Sequence, residues 1–199
     1  MIDVRVKVTS GLTPPQFVKQ LKFATASALT QVAKEGQAAS IKAIESTFTI
    51  RNNWDKPTNR FGVKVTPAKK DNLVSEVYTL ADWLDLHEES GVKQPTKKWI
   101  AIPTKNVRRT KREIIQKGQR PAGLRGKGDV VLKTKTGKTV LFQRKGKGKK
   151  ERLIPMYYLV PMAKIRKRST VFAPVEAVFN KRFGTIFNEQ LEKALAGAK

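Results

Sequence analysis

Cysteine is absent from the 199-residue chain, so disulfides, thiolate nucleophiles and cysteine-based metal clusters are excluded, as is side-chain redox chemistry. Histidine occurs once, at position 87, so any histidine triad or multi-histidine metal site would have to be built on His87 alone. No window approaches the roughly eighteen uninterrupted apolar residues that span a bilayer, and the chain is expected to be soluble with no membrane partner. Its opening alternates Ile2, Val4, Val6 and Val8 with Asp3, Arg5 and Lys7. That pattern reads as a strand and lacks the apolar run of a signal peptide. Hydrophobic residues make up only 39%, so some segments are expected to stay solvated or to be ordered by partners.

Acidic residues are scarce in one place above all. Residues 1–92 carry 12 Lys and Arg against 10 Asp and Glu, residues 93–168 carry 25 against 3, and residues 169–199 carry 4 against 3. Nearly all of the formal net charge of +25 therefore sits in one internal stretch. Such density is self-repelling without a counter-surface, which points to a polyanion. Positive charges alternate with glycine in Arg125-Gly126-Lys127-Gly128 and Lys145-Gly146-Lys147-Gly148-Lys149-Lys150. This backbone can follow an irregular anionic surface, and nothing in it suggests base readout. Neutralising about 6 to 10 phosphates would make affinity fall by about 10³ to 10⁵ between about 50 and 200 mM salt. The expected contacts are Arg108, Arg109, Lys111, Arg112, Arg125, Lys127, Arg144, Lys145, Lys147, Lys149, Lys150, Arg166, Lys167 and Arg168.

Periodicity predicts an α+β fold: a small, mostly antiparallel sheet packed by a long N-terminal helix and a C-terminal amphipathic helix, with flexible basic loops. The chain reads as one domain over 1–199, with 104–152 as a basic glycine- and lysine-rich insertion or loop region. Thr13-Pro14-Pro15-Gln16 offers a helix start with Thr13 as N-cap. Phe17, Leu21, Ala24, Ala28 and Val32 then recur at helical spacing and Ile41, Ile44 and Phe48 resume it beyond Gly36, which reads as one long helix, over 14–46 if unbroken, or two collinear ones. A helix of that length is suited to serve as a packing spine between subunits. Hairpins are predicted for 61–65 with 73–78 and for 130–132 with 140–142. A short segment at 83–88 is capped by Asp82, a strand covers 99–102, and a basic helix is predicted over 106–116. The apolar run 153–160 reads as a strand or arm that Pro155 and Pro161 keep at a sheet edge. Val175, Phe179, Phe183, Ile186, Phe187, Leu191 and Leu195 define a final helix over 174–196.

No catalytic, cofactor or metal site emerges, and the chain is expected not to be an enzyme. Gly137-Lys138-Thr139 supplies the end of a Walker loop, but Leu132 stands where the first glycine belongs. The turn also lies between two predicted strands, so no helix N-terminus would receive a phosphate. Asp82, Asp85, Glu88 and Glu89 could ligate Mg²⁺, yet equally form the acidic face of a short helix. In so basic a chain that face fits better as a subunit-docking surface for the basic segment of a neighbouring copy.

The layout resembles the tail-completion and minor tail protein Z families of tailed phages in three places. The alanine-rich start Ala24-Thr25-Ala26-Ser27-Ala28-Leu29 through Ile50-Arg51 is similar to their opening. Leu86-His87-Glu88-Glu89-Ser90-Gly91 followed by Gln94-Pro95 is similar to an acidic-glycine turn of neck proteins. Ile154-Pro155-Met156-Tyr157-Tyr158-Leu159-Val160-Pro161, leading into a final amphipathic helix, is similar to their C-terminal third. The resemblance implies a virion protein assembled in the host cytoplasm. It would form a homo-oligomeric ring, six-fold favoured, that joins tail to head around the DNA channel. Its partners would be the tail terminator or connector, the tape-measure protein, and DNA through non-specific phosphate contacts. The alternative is a general nucleic-acid-binding protein, ribosome-associated or chromatin-like. Against it, the charge is internal rather than in tails, and Phe142 is the sole aromatic between Trp99 and Tyr157, where an RNA module would show aromatics beside its basic residues.

Overall fold

The computed structural model describes residues 14–124, 129–146 and 148–197; the strand predicted at the N-terminus and the Thr13 cap lie outside them. The fold is α+β and divides into two compact units, where the sequence reads as one domain. A helical unit takes 14–48, Trp54–Ala81 and 169–197, and a sheet unit takes Thr49–Asn53 and Asp82–Arg168.

The helical unit is built on α1 (Pro14–Thr47), one unbroken helix of 34 residues and about 51 Å, and α4 (Phe172–Ala196). Alanine at positions 24, 26, 28 and 33 favours the helix and keeps its inner face low, so α4 approaches closely. Ala28 and Val32 form the core with Ile186 and Phe187, flanked by Leu21, Val178, Phe179, Phe183 and Leu191. Phe179, Phe183 and Phe187 recur every four residues and stack in series, with ring centroids 4.8 and 5.9 Å apart. Polar contacts fix the register of the two helices. Gln190 bonds to Gln31 at 3.1 Å and to Ser27 at 3.2 Å, and Arg182 pairs with Glu35 at 3.2 Å. Buried Ser40 shares its hydroxyl proton between the carbonyls of Gly36 and Val171. The predicted first hairpin is present as β1 (Lys64–Thr66) and β2 (Glu76–Tyr78), antiparallel.

The sheet unit holds a four-stranded antiparallel sheet in the order β4-β7-β6-β5, from β4 (Ile100–Pro103), β5 (Val130–Lys133), β6 (Thr139–Lys145) and β7 (Arg152–Val160). Its inner face packs Leu141, Tyr157 and Leu159 with Met156, Val107 and Leu124. The Leu124 side comes from the four-residue helix α3 (Pro121–Leu124). The Tyr157 hydroxyl donates to the Gln119 carbonyl at 2.8 Å, and its burial raises its pKa above the usual 10.0. A 3-10 turn at Asp82–Leu84 runs into the short helix α2 (Asp85–Glu88), where the sequence predicts a short segment; Asp82, expected to cap it, is the first residue of the turn, and the cap position of α2 is Leu84. Then β3 (Gly91–Lys93) pairs with β8 (Ala163–Ile165) in a separate two-stranded ladder that the sequence reading does not contain.

Two expectations are corrected, the first in part. β7 is an edge only at one end: residues 157–160 lie between β4 and β6, whereas 152–155, with Pro155, pair with β6 alone. The register shifts between Leu141 and Phe142, opposite Pro155. Pro155 stands past the end of β4, on a flank where no ladder partner calls for its missing N–H. The Pro155 carbonyl is used as well, accepting from Thr104 Oγ1 and Asn106 Nδ2, both at 2.8 Å. Residues 106–116 are not helical either. They form a hairpin-like loop closed by the Arg109–Ile115 bridge, with the Thr110 N–H donating to the Ile114 carbonyl at 2.8 Å and Glu113 at φ 59°. Val107 and Ile115, near the two ends of this loop, are held by the sheet core.

Candidate nucleic-acid interface

Charge follows the division into units. The sheet unit carries 26 Lys and Arg against 7 Asp and Glu, a net +19, while the helical unit carries the remaining 15 against 9. The expected contacts among the described residues therefore belong to one compact body and not to a solvated tail. Two carboxylates of that body are committed to ion pairs, Arg109–Glu113 at 3.2 Å and Arg144–Glu151 at 2.7 Å.

Arg108, Arg109, Lys111 and Arg112 are exposed on the 106–116 hairpin loop. Its tip and the 49–53 segment line a polar cleft of about 630 Å³, which brings Arg51, Asn52 and Asn53 beside Lys111, Arg112 and Glu113. Sequence reasoning missed Arg51 as a partner of this tip, because no local pattern relates positions so far apart. With three cations and two amides around one depression, the cleft can receive an anionic oxygen cluster.

Arg144 and Lys145 end β6, and Lys150 ends the 3-10 turn Gly148–Lys150; all three are exposed. The glycines here do more than loosen the chain. Gly146 has φ 98°, and a Cβ on it would meet the Lys150 carbonyl oxygen at 2.4 Å, so the connection is a tight turn that requires glycine. Arg125, Lys127 and Lys147 lie outside the described residues, and Lys149 is placed by its backbone in the 3-10 turn. Arg166, Lys167 and Arg168 are exposed just after β8, with the Arg168 N–H donating to the His87 carbonyl.

In the acidic segment, Asp82, Asp85 and Glu89 are exposed, whereas Glu88 is buried at 4% exposure. Glu88 is thus part of the local packing, and the surface set for docking reduces to the other three. Among the described residues no group of three or more His, Cys, Asp or Glu is placed to hold a metal ion. The His87 imidazole is held below its usual pKa of 6.5, first by burial and then by the Arg168 and Lys93 cations, with Glu88 opposing them. Gly137-Lys138-Thr139 lies where β5 turns into β6, with Gly137 at φ 80° and no helix following. Among the described residues no helix is long and apolar enough to cross a membrane. No family model matches the chain, and neither a curated protein nor a solved structure does.

Proposed function

We propose that this chain is a structural virion protein of a tailed phage, a tail-completion or neck component. In this reading it assembles as a ring at the junction of tail and head and turns its sheet unit toward the DNA channel. The observation that carries the reading is the segregation of charge, +19 on one compact body of the chain. In a closed ring every copy repeats that body, so the summed potential facing the lumen draws on phosphates without reading bases. The exposed acidic residues Asp82, Asp85 and Glu89 give each copy a patch of opposite sign for its neighbour's basic segment. The tail terminator or connector and the tape-measure protein are the neighbouring proteins in this scheme. The protein plays no enzymatic part in it and takes no cofactor.

Quantitative mass spectrometry of purified particles from the source tests the proposal. Presence at about six or twelve copies is the expected result, as closed rings require. Absence from particles would move the assignment to a general nucleic-acid-binding protein. Charge reversal at Lys147, Lys149 and Lys150 should leave folding intact and weaken DNA contact or particle completion. Unchanged DNA retention and infectivity in that variant count against the channel-facing role.

A further inference from the structure

The outer face of the four-stranded sheet carries a second, chemically different feature. On β7, Tyr158 stands opposite Ile102 of β4 on one side and Val140 of β6 on the other, and Val140 in turn stands opposite Leu132 of β5. These four residues form one row across the sheet. Tyr158, Ile102 and Leu132 are 41%, 42% and 40% exposed, while Val140 between them is buried. Trp99, just before β4, joins Tyr158 and Ile102 in lining a cleft of about 550 Å³, a size that takes a small planar ligand.

The rim is cationic. Among the described residues Lys133 and Lys138 line the cleft and no carboxylate does. The Lys138 Nζ lies 5.9 Å from the Tyr158 ring centroid, and the Lys98 Nζ lies 5.8 Å from that of Trp99. Lys138 is held there by a closed turn: the Thr134 N–H donates to the Lys138 carbonyl at 2.8 Å, the Lys138 N–H donates to Thr134 Oγ1 at 3.1 Å, and Gly137 takes the positive φ that the turn needs. The fragment Gly137-Lys138-Thr139, incomplete as a phosphate loop, thus aims an ammonium across an aromatic ring.

We propose that this cleft binds an unpaired base of a single-stranded nucleic acid, with the exposed Tyr158 as the stacking surface, the half-buried Trp99, which also packs against the sheet core, as a wall of the cleft, and Lys133, Lys138 and Lys98 on the adjoining phosphates. Aromatic faces flanked by cations on an open sheet supply the two contributions that single-strand binding uses, stacking on any base and neutralisation of the backbone. An acidic peptide is the weaker fit. The backbone groups of β7 around Tyr158 are already paired with β4 on one side and β6 on the other, so a peptide lying over the row finds no main-chain partners, and among the described residues the rim offers no guanidinium fork for a carboxylate. The site shares no residue with the phosphate contacts assigned above and does not rest on the ring reading.

The test uses the full chain and fluorescence anisotropy at fixed, near-physiological salt. The probes are an oligothymidylate of about twelve nucleotides, within the span such a sheet covers, an abasic strand of equal length and charge, and a duplex. The oligothymidylate should bind at least about fivefold tighter than the abasic strand, the minimum for one stacked base. Tyr158→Ala should bring that ratio close to one, and Tyr158→Phe should keep it. Equal binding of the two strands by the wild type, or an unchanged ratio in Tyr158→Ala, overturns the proposal. So does a result in which Tyr158→Ala abolishes binding of a glutamate–tyrosine copolymer and leaves the oligonucleotide unaffected, which assigns the cleft to an acidic protein. Should Tyr158→Ala misfold, photocross-linking of a 4-thiothymidine strand to the wild type decides the matter. Adducts on the peptides of Trp99 or Tyr158 support the site, and adducts confined to the 144–150 loop refute it.

Discussion

Gly62→Ala is the substitution for which the structure gives the sharpest magnitude. A Cβ built at Gly62 falls 1.8 Å from the Lys56 carbonyl oxygen and 2.5 Å from its carbon, so the backbone must move about 1.2 Å to reach even 3.0 Å. Both atoms are main chain, and the turn that holds them is itself bonded. The Asn59 N–H donates to the Lys56 carbonyl at 2.9 Å, the Gly62 N–H to that of Asn59 at 3.2 Å, and the Val63 N–H to that of Asp55 at 3.3 Å. Gln37 Nε2 on α1 donates to the Val63 carbonyl at 2.7 Å, and Val63 is fully buried. Opening the turn therefore loses two of these bonds at about 1 kcal/mol each and part of the burial of Val63, about 1 to 1.5 kcal/mol more. The expected destabilisation is about 3 kcal/mol. Urea unfolding followed by far-UV circular dichroism reads it, since both long helices belong to the helical unit. Gly184→Ala is the internal control: it lies within α4, its Cβ would meet nothing within 4 Å, and it should stabilise by about 0.5 to 1 kcal/mol. A Gly62→Ala midpoint within about 0.5 kcal/mol of wild type would refute the reasoning.

Ile186→Ala empties the centre of the α1–α4 contact and should cost about 2 to 5 kcal/mol by the same assay, with the denaturant slope unchanged. His87 gives the sheet unit a pH dependence. Because its folded pKa lies below 6.5, the neutral ring favours the folded state; this contribution is complete above pH 6.5 and is lost as pH falls through the depressed folded value. Thermal melts of wild type and His87→Gln over about pH 8 to 5 should converge as that contribution disappears, and parallel curves would count against it. Replacing Arg51, Lys111 and Arg112 together by Ala should reduce the slope of log affinity for duplex DNA against log salt by about 2.7, if each meets one phosphate; an unchanged slope would remove the cleft at the 106–116 tip from the interface.

The elements legible in the sequence are those whose signal is local and repeated. Residues 172–196 declare a helix because phenylalanine returns every four positions, and the 130–133 and 139–145 strands do so because short apolar, β-branched runs bracket a glycine turn. The three-residue strands at 91–93 and 163–165 offer too little length for any period to show, and they pair across most of the sheet unit. Proline informed only locally. Pro155 marks a flank with no ladder partner, but that β4 covers residues 157–160 of the same strand depends on the register of a neighbouring strand, which no local window contains. The division into units was hidden as well, because the helical unit is completed only when the chain returns at 169.

The site divides along the same line. Net charge is additive over residues, so the basic excess of 93–168 could be counted before any fold was known, and it stays together in the sheet unit. Aromatic clustering is not additive. Counted along the chain, the aromatics argue against contact with unpaired bases; paired through Ile102 and Tyr158, they put Trp99 and Tyr158 in one cleft under two lysines. A salt titration separates the two signals. Phosphate contacts weaken together as counterions compete, whereas stacking on an aromatic ring carries no counterion release. The affinity ratio between base-bearing and abasic strands of equal charge should therefore stay constant as salt rises and both affinities fall. A ratio that collapses with salt would mean that the rings only fill space between cations, and the sheet face would then be no more than an extension of the basic surface around it.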